Sequence, residues 1–147
     1  VLNTERIVTT SGLVGTAELC VQLGARYARE RKVFADPIGA YQAIQFPLAE
    51  AQIELECARL MNYKAAALCD ENRPYGREAN MAKFLAGKAA ALATDRAMQT
   101  MGGMGYSKEF HVERLWRDAR LFRIAPVSEE MILNFVAQHD LALPRSY

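Results

Sequence analysis

Helical periodicity runs through three long segments of this chain, and strand patterning is nearly absent. That pattern restricts the fold to the all-α class. The first segment covers residues 3–34, with Ile7, Leu13, Val14, Ala17 and Val21 at bundle-like spacings. Residues 35–39 break it, because Pro37 has no amide hydrogen to donate and biases Asp36 away from helical geometry. A second helix is predicted over residues 41–71. Pro47 lies near its start, Ile53, Cys57, Leu60 and Leu68 trace one apolar stripe, and Glu50, Glu54 and Arg59 mark a wetter side. After a second break at residues 71–76, the alanine-rich stretch 78–101 forms a third helix of high intrinsic propensity. Gly102, Gly103 and Gly105 end it, and two shorter helices, 109–121 and 127–140, follow around Pro126. At 1.5 Å per residue the long helices span roughly 35 to 45 Å. Short connections make sequential neighbours antiparallel, so the predicted fold is an up-down four-helix-type bundle with a short additional C-terminal helix.

Three glycines interrupt the first helix: Gly12, Gly15 and Gly24. Each costs about 1 kcal/mol relative to alanine, which suggests that a neighbouring backbone or a ligand approaches closely there. Packing inside the bundle accounts for them as well as a ligand does.

The size, 147 residues with 51% hydrophobic and 24% charged, suits one domain with a real core. With 18 Lys and Arg against 17 Asp and Glu there is no field to draw nucleic acid, and no basic block marks a docking face. Cys20, Cys57 and Cys69 are odd in number and far apart, which suits neither a disulfide framework nor a metal site. A reducing compartment is expected, the cytoplasm or the mitochondrial matrix of a eukaryote. No signal-peptide pattern is present, and no apolar run has the roughly 18 to 20 residues of a membrane span. The chain opens at Val1 without Met and enters a helical pattern almost at once, which suggests a piece of a longer protein.

Local catalytic signatures are lacking: there is no paired-His helix motif, nucleophile elbow or phosphate loop. His111 and His139 stand in polar contexts without partners and read as surface residues. The run 101–105 (MGGMG) follows a helix instead of a strand and lacks dinucleotide-loop spacing. What remains is a combination. Arg31, Lys32 and Phe34 close the first helix, Gln99 and the glycine cluster close the third, and residues 117–120 (RDAR) lie in the next. Basic groups can bind pyrophosphate, and bare glycine backbone admits an anion to its N–H groups. Taken singly, each is more often a solvated charge or a turn.

Four stretches, in order, resemble the acyl-CoA dehydrogenase family: residues 27–34 (YARERKVF), 42–50 (QAIQFPLAE), 93–106 (ATDRAMQTMGGMGY) and 112–122 (VERLWRDARLF). The resemblance implies the family's C-terminal helical bundle over 1–147, with its N-terminal helical domain and middle β-domain outside this chain. It implies FAD as cofactor and α,β-dehydrogenation of an acyl-CoA, with electrons passed to an electron-transfer flavoprotein. By the same resemblance Arg31 meets the FAD pyrophosphate, Phe34 lies beside the adenosine, and Gln42 joins them. Gln99, Gly102 and Gly103 reach the FAD of a neighbouring subunit, so a homodimer or homotetramer is expected. Ser128 matches a threonine near the flavin. Val33 stands where many members carry a hydroxyl, and Glu130 replaces a common glutamine.

Removal of an α proton from the thioester needs a carboxylate whose pKa is raised toward the operating pH. Many family members carry this Glu after the Arg-Asp-Ala helix, where residues 125–128 here read APVS. A minority carry it in a Glu-Arg pair opening the first helix, and Glu5-Arg6 occupies that place. Glu5 is therefore the predicted base, with Arg6 ordering the helix start. The alternatives are Glu5 as a first-turn residue favoured by the helix dipole, Glu129 or Glu130 as base, or a chain without dehydrogenase activity. Rival functions are an acyl-CoA oxidase-type flavoprotein and a non-catalytic helical assembly module.

Overall fold

The computed structural model describes residues 2–146. Three long helices dominate it: α1 (Leu2–Glu30), α2 (Gln42–Asp70) and α3 (Gly76–Met101). A single-turn helix α4 (Gly103–Tyr106), then α5 (Val112–Leu121) and α6 (Glu129–His139), complete the chain. The all-α prediction holds, and α5 and α6 in tandem, both packed on α3, stand where a fourth long helix would be.

Alanine explains why α3 is central. Ala79, Ala82, Ala86, Ala89, Ala90, Ala93 and Ala97 are all buried, and side chains that small admit α1, α2 and α5 around one helix. Leu13, Ala17, Cys20 and Val21 of α1, Ala51, Leu55 and Ala58 of α2, and Val112 and Ala119 of α5 fill the core against it. Orientation follows from two contacts. Near the start of α1, Asn3 Nδ2 lies 2.9 Å from where a Cβ on Gly76 would stand, and farther along a Cβ on Gly24 would meet Ala97 Cα at 3.4 Å. Helices α1 and α3 therefore run parallel and in direct contact, with α2 antiparallel beside both, and the C-terminal ends of α1 and α3 share one end of the bundle.

Several boundaries differ from expectation for identifiable reasons. Helix α1 stops four residues short of Phe34, because Lys32–Val33 and Asp36–Pro37 pair as a minimal antiparallel hairpin, β1 and β2, with Phe34 at φ 60° in its turn. The segment expected as one helix over 109–121 is split at His111, whose φ of 61° separates a 3-10 turn (Lys108–Phe110) from α5. Ser128 caps α6 by accepting from the Met131 amide, so that helix begins at Glu129. On α2, the stripe of Ile53, Cys57 and Leu60 faces outward, and the buried face is Leu48, Ala51, Leu55, Ala58, Asn62 and Ala65. Helix α1 has the length and apolar character to cross a bilayer, which the composition-based reading did not anticipate. A core helix of a bundle meets the same test, and four of its apolar residues lie in this core.

Candidate functional site

The predicted site residues fall into two groups at opposite ends of the bundle. Arg31, Phe34 and Gln42 lie where α1 hands over to α2, and Gln99, Gly102 and Gly103 close α3 at that same end. Glu5 lies in the first turn of α1, at the other end. Ser128 belongs with Glu5: its segment docks on the N-terminal half of α3 through Lys83. From Glu5 to the end of α1 at Glu30 the helix advances roughly 38 Å at 1.5 Å per residue.

Tests of fit for FAD come from the first group. Arg31 is exposed and its guanidinium has no side-chain partner among the described residues. The Phe34 ring is 98% exposed on a left-handed backbone, a conformation that costs a non-glycine residue about 1 to 3 kcal/mol. An aromatic ring held out at that cost fits stacking on a planar group better than it fits any role inside this chain. Gly102 has φ 58°, where only glycine is unstrained, and a Cβ at Gly102 or Gly103 would meet nothing within 4 Å. A free cation, an uncovered ring, the exposed Gln99 amide and uncrowded glycine backbone could together receive a dinucleotide, although the Gly102 N–H is itself committed to Met98 O at 2.9 Å.

At the other end a cleft of about 430 Å³ separates α1 from α5, a volume in the range of small-molecule sites. Thr9, Gly12 and Thr16 form its α1 wall, and Leu115, Asp118 and Phe122 face them from α5 and its end. Glu5 precedes Thr9 by four residues, so Glu5, Thr9, Gly12 and Thr16 recur at helical spacing along one face of α1. Glu5 is exposed, and no hydrogen bond or ion pair engages its carboxylate among the described residues. Arg6 turns from it, donating to Asn3 Oδ1 at 2.7 Å. Gly12 and Gly15 have no heavy atom within 4 Å of a Cβ, whereas Gly24 is pressed between Leu48 (3.1 Å) and Ala97. Only Gly24 therefore fits packing within this bundle, and Gly12 stands bare on the cleft wall.

The two rival carboxylates are placed differently. Glu129 is buried and accepts two charge-assisted bonds from Arg123, at 2.7 and 2.8 Å, which commits it to an ion pair. Glu130 is held below the usual carboxylate range by its own backbone N–H and by the Ser128 hydroxyl at the start of α6, which makes it a weaker base. The connection between α5 and α6 also shows a residue that the sequence reading missed. Lys83 is fully buried, and its ammonium donates to the carbonyls of Phe122 and Val127. Its place was legible, since Ala79, Ala82, Lys83, Ala86 and Ala90 fall on the buried stripe of α3. A second cleft, about 450 Å³ between α2, α3 and α5, mixes Glu54 and Asp95 with Lys88 and Arg120; it includes Arg120 of the 117–120 motif but none of the residues assigned to the flavin or the base.

Comparison with known proteins bears on the family and the fold. The family profile described as "Acyl-CoA dehydrogenase, C-terminal domain" matches residues 1–141. Acyl-CoA dehydrogenase FadE12 of Mycobacterium tuberculosis is 48% identical over 99% of this chain and 38% of its own length. The short-chain specific mitochondrial acyl-CoA dehydrogenase of Bos taurus is 43% identical over 99% of the chain and 35% of its own. Among solved structures, butyryl-CoA dehydrogenase from Megasphaera elsdenii superposes with a TM-score of 0.91 at 34% identity, covering 96% of this chain and 37% of that one. A glutaryl-coenzyme A dehydrogenase in complex with glutaryl-CoA gives 0.91 at 36% identity, covering 99% and 37%. The chain thus spans little more than a third of the length of the relatives it matches. Profile, sequence and fold agree that this chain belongs to the acyl-CoA dehydrogenase family and corresponds to its C-terminal helical domain.

Proposed function

We propose that this domain completes the active site of an FAD-dependent enzyme that dehydrogenates an acyl-CoA thioester between its α and β carbons. The observation that carries the reading is the unpaired Glu5 carboxylate, on the face of α1 that walls the cleft with Thr9, Gly12 and Thr16. Glu5 takes the α proton, and the bare Gly12 backbone leaves room for the acyl group against α1. Ser128 lies on the same side of the domain. FAD, when bound, accepts the β hydrogen as hydride.

Arg31, Phe34, Gln42, Gln99, Gly102 and Gly103 bind and orient the dinucleotide part of the cofactor. The roughly 38 Å of helix between Glu5 and the end of α1 exceeds the reach from pyrophosphate to ring in one FAD. Residues at the two ends therefore serve two different flavins, which requires an assembly of at least two copies, a homodimer or homotetramer. The N-terminal helical and β-domains, the acyl-CoA substrate and an electron-transfer flavoprotein as acceptor belong to the same proposal, as does a cytoplasmic or mitochondrial-matrix setting.

Anaerobic addition of butyryl-, isovaleryl- and octanoyl-CoA to the full-length protein tests this reading. At least one is expected to bleach the visible absorbance of the oxidised flavin, and no bleaching by any of them contradicts it. Slow re-oxidation of the reduced flavin in air identifies a dehydrogenase, and fast re-oxidation identifies an oxidase.

A further inference from the structure

Lys83 heads the fully buried side chains of the domain by volume, with 0% exposure. Its ammonium donates to Phe122 O and, at 2.7 Å, to Val127 O, both in the connection between α5 and α6. The same connection is fastened from outside by the two bonds from Arg123 to Glu129. It passes within ordinary contact distance of α3 one turn beyond Lys83, where a Cβ on Gly87 would stand 3.6 Å from Glu129 Oε1 and 3.7 Å from Phe122 O. Lys83 thus anchors residues 122–129 on α3.

The lysine satisfies two backbone carbonyls of the connection, and an apolar residue of similar volume would leave both without a donor and free the connection from α3. Burial pushes the ammonium's pKa down; Glu129 opposes that shift and the charge of Arg6 adds to it. Lys83 therefore lies within electrostatic reach of the residue that follows Glu5. On its other side it holds Phe122, which is one of the residues lining the α1/α5 cleft.

We propose that Lys83 is a positioning residue for the reaction: it fixes the α5–α6 connection, and with it Phe122, as a rigid wall of the cleft opposite the α1 face that carries Glu5. This rests on the functional reading above. Lys83 touches neither substrate nor cofactor; it acts through backbone carbonyls that no helix satisfies.

The test uses the full-length, flavin-loaded enzyme and butyryl-CoA, isovaleryl-CoA or octanoyl-CoA, whichever the wild type turns over fastest. Lys83→Met is expected to lower kcat about 10- to 100-fold, the scale of losses from an ångström-level misplacement, with KM and flavin content little changed. Amide hydrogen exchange is expected to accelerate in residues 122–128 while α1, α2 and α3 keep their protection. If Lys83→Met does not fold, Lys83→Gln, which keeps two donors on a shorter arm, is expected to show the same selective exchange and a smaller loss of kcat. Wild-type kcat in a folded, flavin-loaded variant overturns the proposal, as does acceleration spread evenly over the bundle. A wild type inactive on all three thioesters overturns the functional reading and the reactive role with it. Turnover retained by Glu5→Gln while Lys83→Met fails removes only the base assignment.

Discussion

Individual residues reveal function here mainly where they depart from what the fold needs. Phe34 is the clearest case: an aromatic ring almost wholly in solvent, on backbone that disfavours any side chain with a Cβ. Its place in a terminal motif was legible in the sequence, but its strain was not, because the minimal hairpin that creates it depends on pairing rather than pattern. Glu5 shows the opposite balance. Its sequence position could be read as a dipole-favoured first-turn acid, and what adds to that is a cleft whose wall begins one turn farther along the same face of α1, at Thr9. The cysteines allow a direct check at this scale. Burial pushes the Cys20 thiol up to about 12, so at pH 8 only about one molecule in 10⁴ carries the thiolate there. An alkylating reagent at pH 8 should label exposed Cys57 readily and spare Cys20 until the chain is unfolded. Labelling of native Cys20 at the rate of Cys57 would show that α1 does not pack as described.

At the scale of elements, helix existence was legible and helix boundaries were less so. Periodicity located α1, α2 and α3 because each presents small or apolar residues to the core over many turns. It overran α1 and fused the 3-10 turn with α5, since left-handed residues such as His111 carry no apolar signal. On α2, hydrophobicity alone chose the wrong stripe: Ile53 and Leu60 are about two-thirds exposed, while small Ala51 and Ala58 are fully buried. The glycines of α1 separate by role. Gly24→Ala should destabilise the protein by about 1 to 3 kcal/mol, because the new methyl meets Leu48 and Ala97 in a full core. Gly12→Ala has open space and should be neutral or stabilising by up to about 1 kcal/mol from helix propensity. Paired urea titrations of the two variants measure the difference, and equal effects would contradict the packing. The α5–α6 connection makes a third case. Glu129→Gln strands Arg123, and with that arginine's side chain 38% exposed the loss should be about 2 kcal/mol, short of the ~3 to 5 of a fully buried pair. Chemical denaturation checks it.

At the scale of the whole chain, a helical core carries its candidate functional groups at both ends and on one flank. That distribution explains how much of the site was legible. The ordered motifs pointed to a family and to residues, because each lies at a helix end that sequence punctuation marks. The division of those residues between the two ends of the bundle, the cleft wall and Lys83 depend on which helix ends share a pole of the bundle, and only packing determines that. One consequence concerns the isolated domain. On the proposed reading, in which both flavins are shared with other domains and another copy, residues 1–147 alone should retain little FAD on gel filtration, and stoichiometric retention would contradict it.

On the proposed mechanism Glu5 removes the α proton. The most direct test is the rate of anaerobic flavin bleaching by the best acyl-CoA in full-length wild type and Glu5→Gln, with flavin content and fold checked in both. A carboxamide of nearly the same size cannot act as the base, so the variant should bleach about 10² to 10⁴ times more slowly while still holding FAD. Bleaching at the wild-type rate would contradict the assignment and move the base outside α1.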